Sequence, residues 1–226
     1  IISFKNSIKL RVDYPEPYFN LASIYKENGD LEIAKNLYFE SIRLKPNFED
    51  AYNNIGLIYH ELNDYKKAIN SYKTALDINP INLNCLINLS LSLKDVKDYK
   101  TALIACRNAI NIDKNNPEIY YNMGKILQAK GDNKASKEAF QLSIKLRPYY
   151  VEAYYNLALL NAEEGEILKA IKLYKKAINI RPKYYEAVWN LSLLELLLGD
   201  YKSGWENYKY RWKKDKPPFL HGSYTV

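Results

Sequence analysis

Asparagine recurs every 34 residues in this chain of 226, and its amide is the group whose type and spacing could do chemistry. One asparagine side chain holds both a donor and an acceptor, so it can bond the N–H and the C=O of one peptide unit. A regular row of such amides would hold an extended polypeptide by its backbone, whatever side chains that polypeptide carries. The six residues are Asn20, Asn54, Asn88, Asn122, Asn156 and Asn190.

A fixed period of this length indicates a stack of structural repeats, each packed against its neighbours. No insertion or deletion interrupts the spacing, so the repeat boundaries can be predicted directly. Residues 1–14 resemble the second helix of a truncated preceding repeat, and the chain is expected to be cut from something longer. The predicted repeats are 15–48, 49–82, 83–116, 117–150, 151–184 and 185–215, with 216–226 as a linker or tail.

Large and small residues alternate within each repeat in a way that predicts two helices. If the first residue of a repeat is position 1, large side chains recur at positions 4, 7, 11 and 24, and small ones at 8, 20 and 27. The second repeat shows Tyr52, Ile55, Tyr59 and Tyr72 at the large positions and Gly56 at the first small one. Spacings of three and four place the large residues on one helical face, and small residues let two helices approach closely.

A short turn is predicted between the two helices of each repeat. Gly or Asn, as in Asn63-Asp64, can end the first helix in the left-handed conformation, and the following acid can cap the second helix. Proline at position 32 stops the second helix in most repeats. The third repeat has Lys114 there and Pro117 three residues later, so its exit is expected to differ slightly.

This pattern resembles the tetratricopeptide repeat family over nearly the whole chain. The 34-residue unit carries an aromatic at 4, a Leu-Gly-like pair at 7 and 8, Tyr at 11, Ala at 20, an aromatic at 24, Ala at 27 and Pro at 32, with departures such as Leu86 and Asn161. The resemblance implies an all-α fold: a right-handed superhelical α-solenoid of antiparallel helix pairs. It also implies that the first helices line a concave side that binds protein segments.

Positions 2, 6, 9 and 13 of the first helices lie on one stripe and are then expected to form a groove, with position 5 beside it. Position 2 is mostly acidic and position 9 mostly apolar. Positions 2 and 5 carry acids and apolar residues in place of Lys or Arg, so an acidic chain terminus would be repelled. Acids at position 2 also complement the helix dipole without any ligand, and aromatics at position 5 could simply pack against the next helix. The predicted margin residues are Glu27, Glu61, Asp95 and Glu163 at position 13, and Tyr121, Tyr155 and Trp189 at position 5.

Two further resemblances suggest a link to glycosyltransferases. The asparagine row is similar to the concave surface of O-GlcNAc transferase repeats, although asparagine is also simply common at this position across the family. The ending Gly204-Trp205 to Arg211-Trp212 is similar to the last repeat of bacterial proteins whose array continues into a glycosyltransferase domain. Its alternative is a terminal helix that covers the exposed end of the stack.

Composition and motifs exclude several other classes. The formal charge of +7 comes from the two ends, since residues 15–200 hold 24 basic and 23 acidic side chains, so nucleic acid is not expected as a partner. Cys85 and Cys106 have no metal or redox spacing and are interpreted as packing residues in a reducing compartment, with a disulfide as the minor alternative. His60 and His221 stand alone, and no phosphate loop or catalytic pair is present. We expect no cofactor, no metal and no catalysis within this chain.

The sequence therefore predicts a cytoplasmic protein–protein interaction module that holds a peptide or protein segment through its asparagines. One alternative is the substrate-recognition arm of a larger glycosyltransferase whose catalytic domain is absent from this chain. Another is a scaffold whose partners bind the convex side. No membrane association is expected, and the oligomeric state is expected to be a monomer or a weak homo-oligomer.

Overall fold

The computed structural model describes residues 14–213, and within this range the expected all-α class is confirmed. The described residues form twelve α-helices, one short 3-10 helix and no strand. The interpretations of residues 1–14 and 216–226 fall almost wholly on residues 1–13 and 214–226, which lie outside the described range. The helices are α1 Pro15–Glu27, α2 Leu31–Leu44, α3 Glu49–Glu61, α4 Tyr65–Ile78, α5 Leu83–Asp95, α6 Tyr99–Ile112, α7 Pro117–Lys130, α8 Asn133–Leu146, α9 Val151–Glu163, α10 Ile167–Ile180, α11 Tyr185–Leu197 and α12 Tyr201–Tyr208, followed by the 3-10 helix Lys209–Trp212.

The described residues divide into two compact units, residues 14–130 and 131–213. In the first unit, each helix from α1 to α7 packs against the next, and the odd-numbered helices also lie beside one another. Its core combines small and large buried residues, such as Ala68 against Tyr72, in the arrangement that the repeat pattern predicts. Cys85 and Cys106 are free thiols buried in this core, which agrees with their interpretation as packing residues.

The second unit contains α8 to α12, and again consecutive helices pack together. Its core includes Ala158, Ala170 and Tyr174, which occupy positions 8, 20 and 24 of their repeat. Asn161 stands at position 11, where the first two repeats have tyrosine. Its amide is buried but satisfied, because it donates to the Leu157 carbonyl at 2.7 Å and accepts from Lys137 Nζ at 3.2 Å.

The turns between paired helices follow the predicted chemistry with two exceptions among the caps. Asp64, Asp98, Asp132 and Asp200 each accept a backbone N–H from the second helix, whereas the side chains of Asp30 and Glu166 do not. The expectation that the third repeat would exit differently is wrong for the helix end. Helix α6 ends at Ile112, the same repeat position as the other second helices, without the proline.

Lys97 has a left-handed backbone, with φ of 64°, at a turn position where four other repeats have glycine. This conformation costs an L-residue roughly 1–2 kcal/mol. We therefore predict that Lys97→Gly raises the free energy of unfolding by about 1 kcal/mol, as measured by urea denaturation. The control is Lys73→Gly on an exposed face of α4, which should lower it by about 1 kcal/mol because glycine destabilises a helix interior. A loss of stability in both variants would contradict the prediction.

Candidate functional site

A cavity of about 370 Å³ lies among the first helices of the first unit. We call it the groove pocket. It is framed by α1, α3, α5 and α7, and every residue that lines it comes from position 2, 5, 6 or 9 of a repeat. The sequence period therefore brought the predicted positions together. The lining residues are Phe19, Asp50, Asn53, Asn54, Leu57, Asn84, Ile87, Asn88 and Glu118.

Each of the two recurring asparagines of the groove pocket has only one of its two side-chain polar atoms in a hydrogen bond. Asn54 Oδ1 accepts a hydrogen bond from Lys26 Nζ at 2.9 Å, and Asn88 Nδ2 donates to Asn53 Oδ1 at 3.1 Å. No other described residue bonds Asn54 Nδ2 or Asn88 Oδ1. One donor and one acceptor thus remain available beside the cavity, on neighbouring helices.

Asn122 presents the opposite situation, because its amide is buried without a partner. It is only 3 % exposed, and its Nδ2 has no hydrogen-bond acceptor among the described residues. It lies one helical turn after Glu118 on α7, so it follows a residue that lines the groove pocket. A buried amide donor without a partner usually costs about 1–3 kcal/mol.

The other three recurring asparagines have different surroundings. Asn20 is exposed near the start of α1. In the second unit, Asn156 Nδ2 donates to the Glu152 carbonyl at 2.8 Å. Asn190 Nδ2 donates to Tyr155 Oη at 3.1 Å and approaches Tyr174 Oη at 3.4 Å. The six asparagines are therefore not equivalent, although the sequence presents them as one regular row.

The aromatic residues predicted at the margin are all half-buried. Tyr155 packs against Tyr174 and Tyr184, with ring centroids 5.9 and 5.1 Å apart, and burial raises the pKa of its hydroxyl. The Tyr121 ring lies 5.4 Å from the Lys125 ammonium. For Tyr155, the structure therefore supports the packing interpretation that the sequence left open.

The acidic margin residues also differ among themselves. Glu27, Glu61 and Glu163 are exposed. Asp95 is engaged, since its carboxylate contacts His60 Nε2 at 3.0 Å and Lys94 Nζ at 2.8 Å. The prediction that His60 stands alone is therefore wrong. Its partner lies 35 residues away, one repeat further along the chain.

Bases recur near the ends of three first helices of the first unit. Lys26, His60 and Lys94 stand at position 12, each followed by an acid at position 13. Sequence reasoning missed these bases, although position 12 shows them as regularly as position 2 shows the acids. Lys125 is a further base of the first unit. Burial is the main cause that lowers the pKa of its ammonium, and the charge of Lys94 lowers it further, whereas Asp95 raises it.

Asp50 holds a carboxylate that the fold leaves without a direct partner. No described residue donates a hydrogen bond or forms an ion pair to it. Asp50 is exposed overall, but partial desolvation of its carboxylate, followed by the nearby charge of Glu49, raises its pKa, and Lys45 opposes this shift. The Glu118 carboxylate likewise has no ion-pair partner among the described residues. Both acids line the groove pocket, with Asn84 at the same repeat position on the helix between them.

No cluster of metal-ligating side chains occurs among residues 14–213. Within the same range, no helix has the length and apolar character that crossing a membrane requires. The groove pocket accordingly offers amides, carboxylates and apolar side chains. These groups are suited to hydrogen bonding and to packing against a polypeptide.

Family models identify the repeats directly. Tetratricopeptide repeat models match residues 49–82, 117–150 and 151–184, and a TPR repeat model matches residues 22–63 and 92–131. Together these matches cover well over half of the chain. The chain belongs to the tetratricopeptide repeat (TPR) family. No curated protein matches it significantly, and nothing in the comparisons links it to O-GlcNAc transferase-like proteins.

Several solved structures are similar to this TPR chain. A crystal structure of MamA is 28 % identical, covers 70 % of this chain and 93 % of that one, and has a TM-score of 0.61. YrrB, described as a TPR protein with an unusual peptide-binding site, is 25 % identical, covers 82 % and 95 % of the two chains, and has a TM-score of 0.62. PilF of Pseudomonas aeruginosa is 20 % identical, covers 88 % and 89 %, and has a TM-score of 0.76, which shows a shared fold.

Proposed function

We propose that this TPR protein binds an extended segment of another protein in the groove pocket. The observation that carries the proposal is the pair of available amide atoms, Asn54 Nδ2 and Asn88 Oδ1, on adjacent helices beside an open cavity. An extended peptide presents backbone C=O and N–H groups that match this donor and acceptor. Interaction with protein segments is also the general role that the TPR relatives suggest, and YrrB is described as having a peptide-binding site.

The lining of the groove pocket supports a polypeptide ligand in a second way. Phe19, Leu57 and Ile87 provide apolar surface beside the amides. Binding sites commonly combine an apolar surface with a few polar groups that fix orientation. The amides would hold the backbone, and the apolar residues would contact alternate side chains of the ligand.

Replacing Asn54 and Asn88 together by Ala tests the proposal. Each hydrogen bond is worth a net of about 1 kcal/mol, so losing both should weaken binding roughly 30-fold. Binders would first be selected by wild-type protein from a library of random 12-residue peptides displayed on phage. The dissociation constant of the best peptide would then be measured by fluorescence anisotropy for both proteins.

The matched control is Asn36→Ala with Asn111→Ala, two exposed asparagines on second helices outside the groove pocket. This pair should leave the dissociation constant unchanged. Circular dichroism would show that all variants are folded. The proposal is wrong if the selected peptide binds the Asn54/Asn88 variant as tightly as it binds wild type.

Asn122→Leu should separate binding from stability. The substitution keeps a similar volume and removes a buried donor without a partner, so we expect the free energy of unfolding to rise by about 1 kcal/mol. If the donor serves a ligand carbonyl, the same variant should bind the selected peptide several-fold more weakly. A decrease in stability would show that the Asn122 amide is satisfied in the folded protein.

The glycosyltransferase interpretation stays a hypothesis that rests on the sequence resemblances alone. It would require Gly204 and Trp205 to belong to a repeat that leads into a catalytic domain. The full row of six asparagines as a peptide grip is likewise a prediction. The present proposal concentrates binding on the first unit, because Asn190 is occupied by tyrosine hydroxyls.

A further inference from the structure

We infer that the groove pocket selects a lysine or arginine side chain of the bound segment. This inference rests on the proposed function and names the chemistry of its ligand. The first observation is the charge of the lining, since Asp50 and Glu118 are its only ionisable members among the described residues. A cationic side chain that enters the pocket therefore meets two carboxylates, and the Lys26 ammonium beside the lining is bound to Asn54 Oδ1.

The second observation is that neither carboxylate is neutralised within the fold. Some acids of the first unit have close cationic partners, such as Asp95 with Lys94 and Glu32 with Lys35 at 2.7 Å. Asp50 and Glu118 are exposed and have no such partner among the described residues, so both carboxylates are accessible to a ligand. The two acids also stand on α3 and α7, with Asn84 on α5 between them, so they form one polar rim of the cavity.

The third observation is the apolar surface that lines the same cavity. Lysine and arginine combine a long aliphatic stem with a charged head, and they bury the stem along apolar surface while the head stays polar. Phe19, Leu57 and Ile87 would contact the stem, and the rim would bind the head. An acidic side chain would be repelled by the same rim, and a purely apolar one would gain no electrostatic attraction from it.

The helix dipole gives a competing explanation for the same acids. Asp50 and Glu118 lie in the first turns of their helices, where negative charge is stabilising without any ligand. The two explanations predict different measurements. The dipole affects stability and not peptide preference, whereas a basic-side-chain pocket affects the preference of the selected peptides.

The test is selection from the random 12-residue phage library with wild type and with Asp50→Asn/Glu118→Gln. We expect the wild-type pool to be enriched in Lys or Arg at one aligned position. Replacing that residue by Met in the best peptide should raise the dissociation constant for wild type about tenfold or more. The same replacement should make little difference to the double variant.

The matched control is Glu27→Gln/Glu61→Gln, which removes the same net charge from exposed acids outside the groove pocket. This control should keep the preference for a basic residue. Selected peptides that depend on Asn54 and Asn88 but show no basic preference would overturn the inference and leave the proposed function standing. If no peptides are selected, or if binding ignores Asn54 and Asn88, the proposed function fails and the inference fails with it.

Discussion

The free energy of unfolding should fall by several kcal/mol when the pH is raised from about 9 to about 11. Tyr38, Tyr72 and Tyr174 are at most 1 % exposed, and burial is the main cause that raises the pKa of each hydroxyl. Burial likewise raises the pKa of the Cys85 and Cys106 thiols, to about 12 and about 11. The fall in the free energy of unfolding at alkaline pH therefore reflects several groups at once.

The sign follows from where each group loses its proton. The unfolded chain releases thiol protons above about pH 8.5 and phenol protons above about pH 10, whereas the folded protein retains them to higher pH. The stabilisation is complete below these unfolded values and is lost as the pH rises toward the raised folded values. Each fully shifted group contributes about 1.4 kcal/mol per pH unit within its window.

Urea denaturation at a series of pH values would measure this slope. Tyr72→Phe removes one of the buried hydroxyls and should reduce the slope above about pH 10 by up to 1.4 kcal/mol per pH unit. Tyr149→Phe is the control, because Tyr149 is 73 % exposed and should leave the slope unchanged. An equal slope in Tyr72→Phe and wild type would count against the assignment.

Gly56→Ala should destabilise the first unit, although alanine is the better helix former. A Cβ at Gly56 would lie 2.4 Å from Tyr72 Cε1 and 2.7 Å from Cδ1, and the Tyr72 ring is fully buried. Overpacking of this kind typically costs 1–3 kcal/mol, against a gain of up to about 1 kcal/mol in helix propensity. We expect a net loss of about 1–2 kcal/mol in the free energy of unfolding.

A double-mutant cycle with Tyr72→Leu isolates the clash. With the ring removed, Gly56→Ala should be neutral or stabilising, because only its helix propensity remains. The control is Ala22→Gly, at the same position of the first repeat, which should cost about 1 kcal/mol or more, because it loses helix propensity and a buried methyl group. A stabilising effect of Gly56→Ala in the wild-type background would show that the ring shifts freely.

Much of the fold follows from local sequence rules. Each first helix begins at position 1 of its repeat, and the second helices of the first five repeats end at position 30, as α3 and α4 do at Glu49 and Ile78. Helix periodicity, turn residues and capping acids act within a few residues, so one sequence is enough to predict them. Even the absence of proline in the third repeat did not move the end of α6.

The positions that line the groove pocket also followed from the period. Because every repeat places its first helix in the same way, positions 2, 5, 6 and 9 of neighbouring repeats had to meet on one surface. Asn54, Asn88 and Glu118, from three successive repeats, meet there for this reason. The chemical character of that surface, with amides, acids and apolar residues, could be derived from the sequence.

Only the tertiary structure decided which of these groups remain available. Lys26 donates to Asn54 Oδ1, although the two residues are 28 positions apart in the sequence. The pairs Asn53–Asn88 and His60–Asp95 are each hydrogen-bonded across 35 positions. Such contacts depend on how the side chains of two packed helices are oriented, which the repeat pattern does not encode. The sequence thus determined the fold and the composition of the groove pocket. Packing between helices decided which hydrogen-bonding groups and which charges were left without a partner.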